Sequence, residues 1–231
     1  MIDLNNFYSG GYYLVRGVQR QDWMKTNLLP ETIISLSHLC PRYSILLGWM
    51  PDYRQEALDF GIPEDKLDEL DQWCSAAYEV EIGFPLLFYT LEGARRFVQR
   101  FLPDTENLYL LGAGLPQERE EKYWRDLPET ERLTTEKRIQ QHLPLAPGGA
   151  VLGFEVLSVC TNEIYCSWLC YGLEQEMNTL FGIVPNQYGL INHYEEAKKV
   201  SEWIDEDWMR AGADHYDFWV VVSYPLVESH S

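Results

Sequence analysis

Cys160, Cys166 and Cys170 form the densest set of nucleophilic or metal-ligating side chains in the chain. A thiolate can attack an electrophilic carbon or bind a soft metal, so spacing decides which chemistry is available. A structural zinc site wants CxxC or CxxxxC pairs with a matching second pair. Here the gaps are five and three residues, and His193 and His215 lie far behind. That mismatch argues against zinc, and no metal or other cofactor is expected. Cys170 is the best-placed nucleophile. It precedes a helix expected to begin near Gly172, where backbone N–H groups lower a thiol pKa. His193 or His215 could serve as its base, and Asp214 or Asp217 could orient the imidazole. The plainer alternative is that Cys170 is a small buried residue in the apolar run Trp168-Leu169-Cys170-Tyr171. The residue pattern favours that alternative.

Other motifs are weaker. Gly112-Ala113-Gly114 follows a strand-like segment as a dinucleotide fingerprint would, but Gln117 stands where a third glycine is needed. Pro116 also removes an N–H that could meet phosphate. The segment reads better as a strand-to-helix turn. No GxxxxGK[ST] loop and no G-x-S-x-G elbow occur. Asp214-His215-Tyr216-Asp217 reads as a polar corner, and His38 with Cys40 has no second pair nearby. Eight Trp and 15 Tyr would serve an aromatic pocket, a protein interface or an aromatic core.

Charge narrows the partners. Thirty-six acids face 18 bases, for a formal net charge of -18. Residues 51–81 carry ten acids and two bases, whereas residues 1–50 are close to neutral. On a helix opened by Pro63, Glu64, Asp68 and Asp71 form a carboxylate stripe. Lys66 is the base within that helix. No basic stripe exists to neutralise phosphates, so nucleic acid and anionic membrane surfaces are excluded as main partners. A basic protein suits the acidic face. The odd cysteine count and the opening MIDLNNFYSGG, which lacks a signal-peptide pattern, give the expectation of a cytoplasmic protein with five reduced thiols. The most apolar stretch, 218–227, is about half the length of a membrane span.

These residues need elements to hold them. YYLVRGV (12–18), NLYLLG (107–112) and AVLGFEVLSV (150–159) read as strands. YDFWVVVSY (216–224) is apolar on both faces, which suits a central strand sharing a sheet with 150–159. Asp52 is expected to cap a helix ending at Phe60-Gly61, with Gln55 completing a capping box. In the next helix Leu67, Leu70, Cys74 and Ala77 make one inner face. Thr90 caps a helix to Phe101, charged helices fill 116–142, and another helix runs from about Gly172 to Phe181. Asn192 is expected to cap the last helix, whose inner face is Ala197, Val200 and Ile204. Phe60-Gly61-Ile62-Pro63 and Phe181-Gly182-Ile183-Val184-Pro185 are two similar helix stops. The Pro/Gly segment 143–149 divides a helix-rich α+β portion, 1–142, from a second α+β portion, 150–231. It is either a linker or a loop within one domain.

Gly153-Phe154-Glu155, Ser167-Trp168-Leu169-Cys170, Gly172-Leu173-Glu174, Phe181-Gly182-Ile183 with Pro185-Asn186, and Gly189-Leu190-Ile191 form a pattern across residues 147–204. This pattern resembles a family of uncharacterised bacterial proteins. The family pattern carries His before the Ser-Trp-Leu-Cys run, where this chain has Cys166, which counts against His/Cys chemistry there. The resemblance implies a bacterial intracellular source and no particular activity.

The expected fold is α+β, with a mixed or antiparallel sheet and packed helices. The expected function is a non-catalytic cytoplasmic protein that binds a protein partner through its acidic face, in the sharpest version as an antidote to a basic toxin. The alternatives are a cysteine-nucleophile enzyme around Cys170 and a small-molecule binder with an aromatic pocket.

Overall fold

The computed structural model describes residues 2–20, 28–36, 53–83, 87–121, 138–160, 163–207 and 216–227. The described residues include nine strands: β1 (Phe7–Arg16), β2 (Val18–Gln19), β3 (Thr32–Ile33), β4 (Ile82–Gly83), β5 (Leu87–Phe88), β6 (Leu108–Pro116), β7 (Ala150–Cys160), β8 (Glu163–Ser167) and β9 (Tyr216–Tyr224). The helices are α1 (Tyr53–Phe60), α2 (Leu67–Ala77), α3 (Leu91–Phe101), α4 (Glu174–Phe181) and α5 (Tyr194–Asp205). Seven strands form one sheet in the order β4-β5-β1-β6-β9-β7-β8, with every neighbouring pair antiparallel. The fold is α+β.

Strand β9 lies inside the sheet, between β6 and β7. Alternation along it explains its doubly apolar sequence, because each face of a strand interior to a covered sheet must be buried. Phe218, Val220, Val222 and Tyr224 join the core beneath the helices, while Trp219 and Val221 join a second core on the opposite face. The inner faces of α2, α3 and α5 all enter the first core: Leu67, Leu70 and Ala77; Ala94, Phe97, Val98 and Phe101; Ala197, Val200 and Ile204. Among the described residues the second core is closed by Ile34, Leu36, Ile139 and Leu190.

The β6–β9 pairing joins the portion before residues 143–149 to the portion after them in one continuous sheet. The Pro/Gly segment is itself bonded to that sheet. Leu143 O accepts from Ser9 N at 2.7 Å, Ala146 N donates to Tyr12 Oη at 2.9 Å, and Tyr224 Oη donates to Ala146 O at 2.8 Å.

Several local expectations change. Gly112 and Gly114 lie inside β6, which runs on to Pro116, so they do not form a strand-to-helix turn. A Cβ at Gly112 would come 2.9 Å from Tyr224, and one at Gly114 2.8 Å from Val220. These glycines therefore let β6, β9 and Leu145 pack closely. His193, not Asn192, occupies the N-cap position of α5 and makes no side-chain cap bond. Asn192 Oδ1 instead accepts from Asn186 Nδ2 at 3.1 Å. A short 3-10 turn, Gln117–Arg119, follows Pro116, and residues 122–137 of the expected charged helices lie outside the described residues. Asp52 and its cap also lie outside them. Thr90 caps α3 as expected, with its Oγ1 accepting from Gly93 N at 3.0 Å. Gly61 and Gly182 both stand immediately after their helices.

Candidate functional site

The acidic face is carried by α1, α2 and the turn between them. Gly61 ends α1, the Pro63 ring opens a 3-10 turn at Glu64–Lys66, and α2 continues from Leu67. Burying Leu67, Leu70 and Ala77 turns the carboxylates outward. Glu64 and Asp65 are exposed, and the Asp68 side chain is 86% exposed. Asp71 is half-buried. Arg54 of α1 lies between the helices and pairs with both Asp68 and Asp71, reaching the latter at 2.7 Å. Lys66 pairs with Glu69 at 2.8 Å, and Arg100 of α3 reaches Glu69 from the other side at 2.7 Å. These two cations hold the Glu69 carboxyl below the usual range. Arg54 is a second base for the stripe that the spacing within α2 does not reveal. The cations leave Glu64 and Asp65 at the outer end of the face, in the 3-10 turn that leads into α2.

A second polar cluster lies within the sheet. Glu155 sits opposite Trp219 in the β7–β9 ladder and is buried. Its Oε1 accepts from Ser35 Oγ at 2.5 Å, its Oε2 accepts from Leu36 N at 2.7 Å, and the Ser167 hydroxyl also bonds to it. Burial pushes this carboxyl up to about 7, against the lowering effect of those three bonds. Glu155 thus ties β7 to the 34–36 segment and to the end of β8. A lone acid in an apolar strand is the sequence signal that would have found it.

Directly beyond Ser167 lies the thiol corner. Ser167 Oγ accepts from Leu169 N at 3.3 Å, starting the 3-10 turn Trp168–Tyr171. This turn carries Cys170 back toward Cys166 at the end of β8. Ser158 Oγ accepts from Cys166 N at 2.9 Å and fixes the strand there. Cys166 and Cys170 are both half-buried, and neither is in a disulfide. Hydrogen bonds from Cys170 and Tyr171 bring the Cys166 thiol down to about 7, against the opposing effect of burial. Tyr216 closes the corner from β9; burial and the neighbouring Tyr171 push its hydroxyl up. The neighbours of Cys166 thus favour its ionised form. The sequence singles out Cys170 as the nucleophile candidate, with a buried structural role favoured for it, and assigns no role to Cys166.

Of the residues proposed to serve Cys170, His193 and Asp217 are described. His193 is exposed at the start of α5. Asp217 is buried and accepts from Arg119 Nε at 2.8 Å. His215 and Asp214 lie outside the described residues. Among the described residues no group of three His, Cys, Asp or Glu is placed to hold a metal, and no helix is long and apolar enough to cross a membrane. The described aromatics largely build the core. Trp73, Phe88, Phe97 and Phe101 form one cluster, with ring centroids 5.0–6.4 Å apart. Phe7, Phe154, Tyr194 and Phe218 form another. An open hollow of about 520 Å³ lies beside this second cluster, between Phe7, Pro116, Glu118 and Tyr194.

Comparison with protein-family models, curated proteins and solved structures finds no match.

Proposed function

We propose that this chain is a non-catalytic protein-binding domain that receives a basic partner on the acidic face of α1 and α2. The observation supporting this reading is the exposed edge of that face, where Glu64 and Asp65 of the 3-10 turn and Asp68 of the first turn of α2 stand close together. Carboxylates one helical turn apart lie within a screening length of about 8 Å at physiological salt, so their fields add. Such a face chiefly speeds association and selects for positive charge. An antidote that covers a basic toxin is the sharpest form of this reading, with the bacterial intracellular setting supplied by the resemblance across 147–204.

The test replaces Glu64 and Asp68 by Gln and Asn together with Asp71→Asn. A control variant, Glu92→Gln/Glu195→Gln/Glu196→Gln, removes the same charge elsewhere. Partners retained by the wild type from its source lysate are compared across a salt series. Loss of basic partners with the first variant alone supports the face. Equal retention and equal salt dependence in both variants reject it. Arg54 loses only exposed ion pairs in the first variant, worth about 0–1 kcal/mol each, so the fold is retained.

A further inference from the structure

Cys166 and Cys170 meet where the end of β8 and the following 3-10 turn fold back on each other. Backbone bonds pin both sides of Cys166: Ser158 Oγ accepts from its own N–H, and Ser167 Oγ accepts from Leu169 N. The two thiols are hydrogen-bonded to one another, and Tyr171 donates to Cys166 from the same turn. Both residues are half-buried, so neither is sealed from a small solute. We propose that this corner is a peroxide-reactive dithiol, in which Cys166 is the thiol that peroxide oxidises and Cys170 is the thiol that resolves it into an intramolecular disulfide.

The chemistry balances with a hydroperoxide as the oxidant. The Cys166 thiolate attacks the outer peroxide oxygen, the O–O bond breaks, and the departing alkoxide or hydroxide takes a proton. Cys166 becomes a sulfenic acid. The Cys170 sulfur, its proton released to solvent, then attacks the Cys166 sulfur. An S–S bond forms, the S–O bond breaks, and water leaves. Two thiols and one hydroperoxide give one disulfide, one alcohol or water, and one further water. The hydrogen bonds of Cys170 and Tyr171 hold the attacking sulfur partly ionised near neutral pH, since Cys166 sits at about 7. Cys74 supplies an internal contrast, because burial and the nearby Asp71 push its thiol up to about 12. At pH 7.5 the larger thiolate fraction of Cys166 outweighs its weaker intrinsic nucleophilicity, and the balance favours Cys166 over Cys74 by about 100-fold. Folding creates this preference, so unfolding must erase it.

The experiment treats the native full chain with a small excess of hydrogen peroxide, quenches with an alkylating agent, and maps the peptides without reduction. The expected product is a 166–170 disulfide that dithiothreitol reverses, formed about 100-fold faster than Cys74 is oxidised. Cys170→Ser should leave a sulfenic acid on Cys166 that dimedone traps, while Cys166→Ser should leave Cys170 largely reduced. Repeating the treatment in denaturing urea should remove the difference between Cys166 and Cys74. The proposal is overturned if native Cys166 and Cys74 oxidise at the same rate. It is also overturned if dimedone labels Cys170 instead, or if the disulfide forms only between chains. Iodoacetamide labelling of each native serine variant, with Cys74 again the slow site, confirms that the variants are folded.

Discussion

Replacing Glu155 by Gln should make the protein more stable at pH 8 and leave it nearly unchanged at pH 4. The carboxyl is buried and its folded pKa is about 7, above the unfolded value near 4.5. The folded chain therefore holds this proton where the unfolded chain has lost it. The sign follows: stability is fully present below about pH 4.5 and falls as pH rises toward 7. The span of about 2.5 pH units corresponds to about 3 kcal/mol. Gln reproduces the neutral acid. Its oxygen can accept from Leu36 N, and its amide can donate to Ser35 Oγ once that hydroxyl rotates. The variant should therefore match the wild type in acid and exceed it by about 3 kcal/mol at pH 8, or by about 6 °C or more in Tm for a chain of this size. Urea unfolding of both proteins at half-unit steps from pH 4 to pH 8 measures the difference. A difference that stays flat across that range would show that Glu155 titrates alike in both states and would refute the reasoning.

Other outcomes follow from particular contacts. Asp217→Asn should destabilise by about 2–3 kcal/mol, because it leaves buried Arg119 to the half-exposed Glu202 carboxylate at 3.3 Å in place of a buried partner, while Arg119→Met with Asp217→Asn should recover much of that loss in urea titrations. Gly153→Ala should cost several degrees in Tm: Gly153 has φ +146°, and a Cβ there would come 2.7 Å from Ile191 O. Thr90→Ala should cost about 1 kcal/mol by chemical denaturation, the typical value of an N-cap bond. Thiol titration of the denatured, unreduced protein should find five groups, and three or fewer would reveal a disulfide.

The elements with strong patterns were legible before any coordinates. The doubly apolar 216–224 announced an interior strand, and the spacing of Leu67, Leu70 and Ala77 gave the inner face of α2. The failures occurred where a tertiary partner replaced a local one. Asn192 has the residue type of a cap, but Asn186 is close enough to take its oxygen, and the helix starts one residue later. Gly112 and Gly114 have the look of a turn because a sequence does not show that Tyr224 and Val220 need the space a Cβ would fill. Arg54 comes from the neighbouring helix, so the charge balance of the α2 stripe could not be read within α2. The thiol corner was half legible. Three cysteines in a short stretch were plain, but which thiol is acidic depends on a 3-10 turn that directs Cys170 and Tyr171 at Cys166.

The strand order has a consequence for how the chain is made. β6 is flanked by β1 and β9, so the middle of the sheet waits for segments separated by on the order of a hundred residues on each side. Such distant pairings slow folding, and a chain emerging from a ribosome can align β1 with β6 long before β9 exists. Until residues 216–224 arrive, β6 and β7 each present an open apolar edge, a template for pairing with another nascent chain. A stop codon anywhere before this strand would make that exposure permanent. Its product would be an aggregate and a load on chaperones, since no shorter sheet can close without β9.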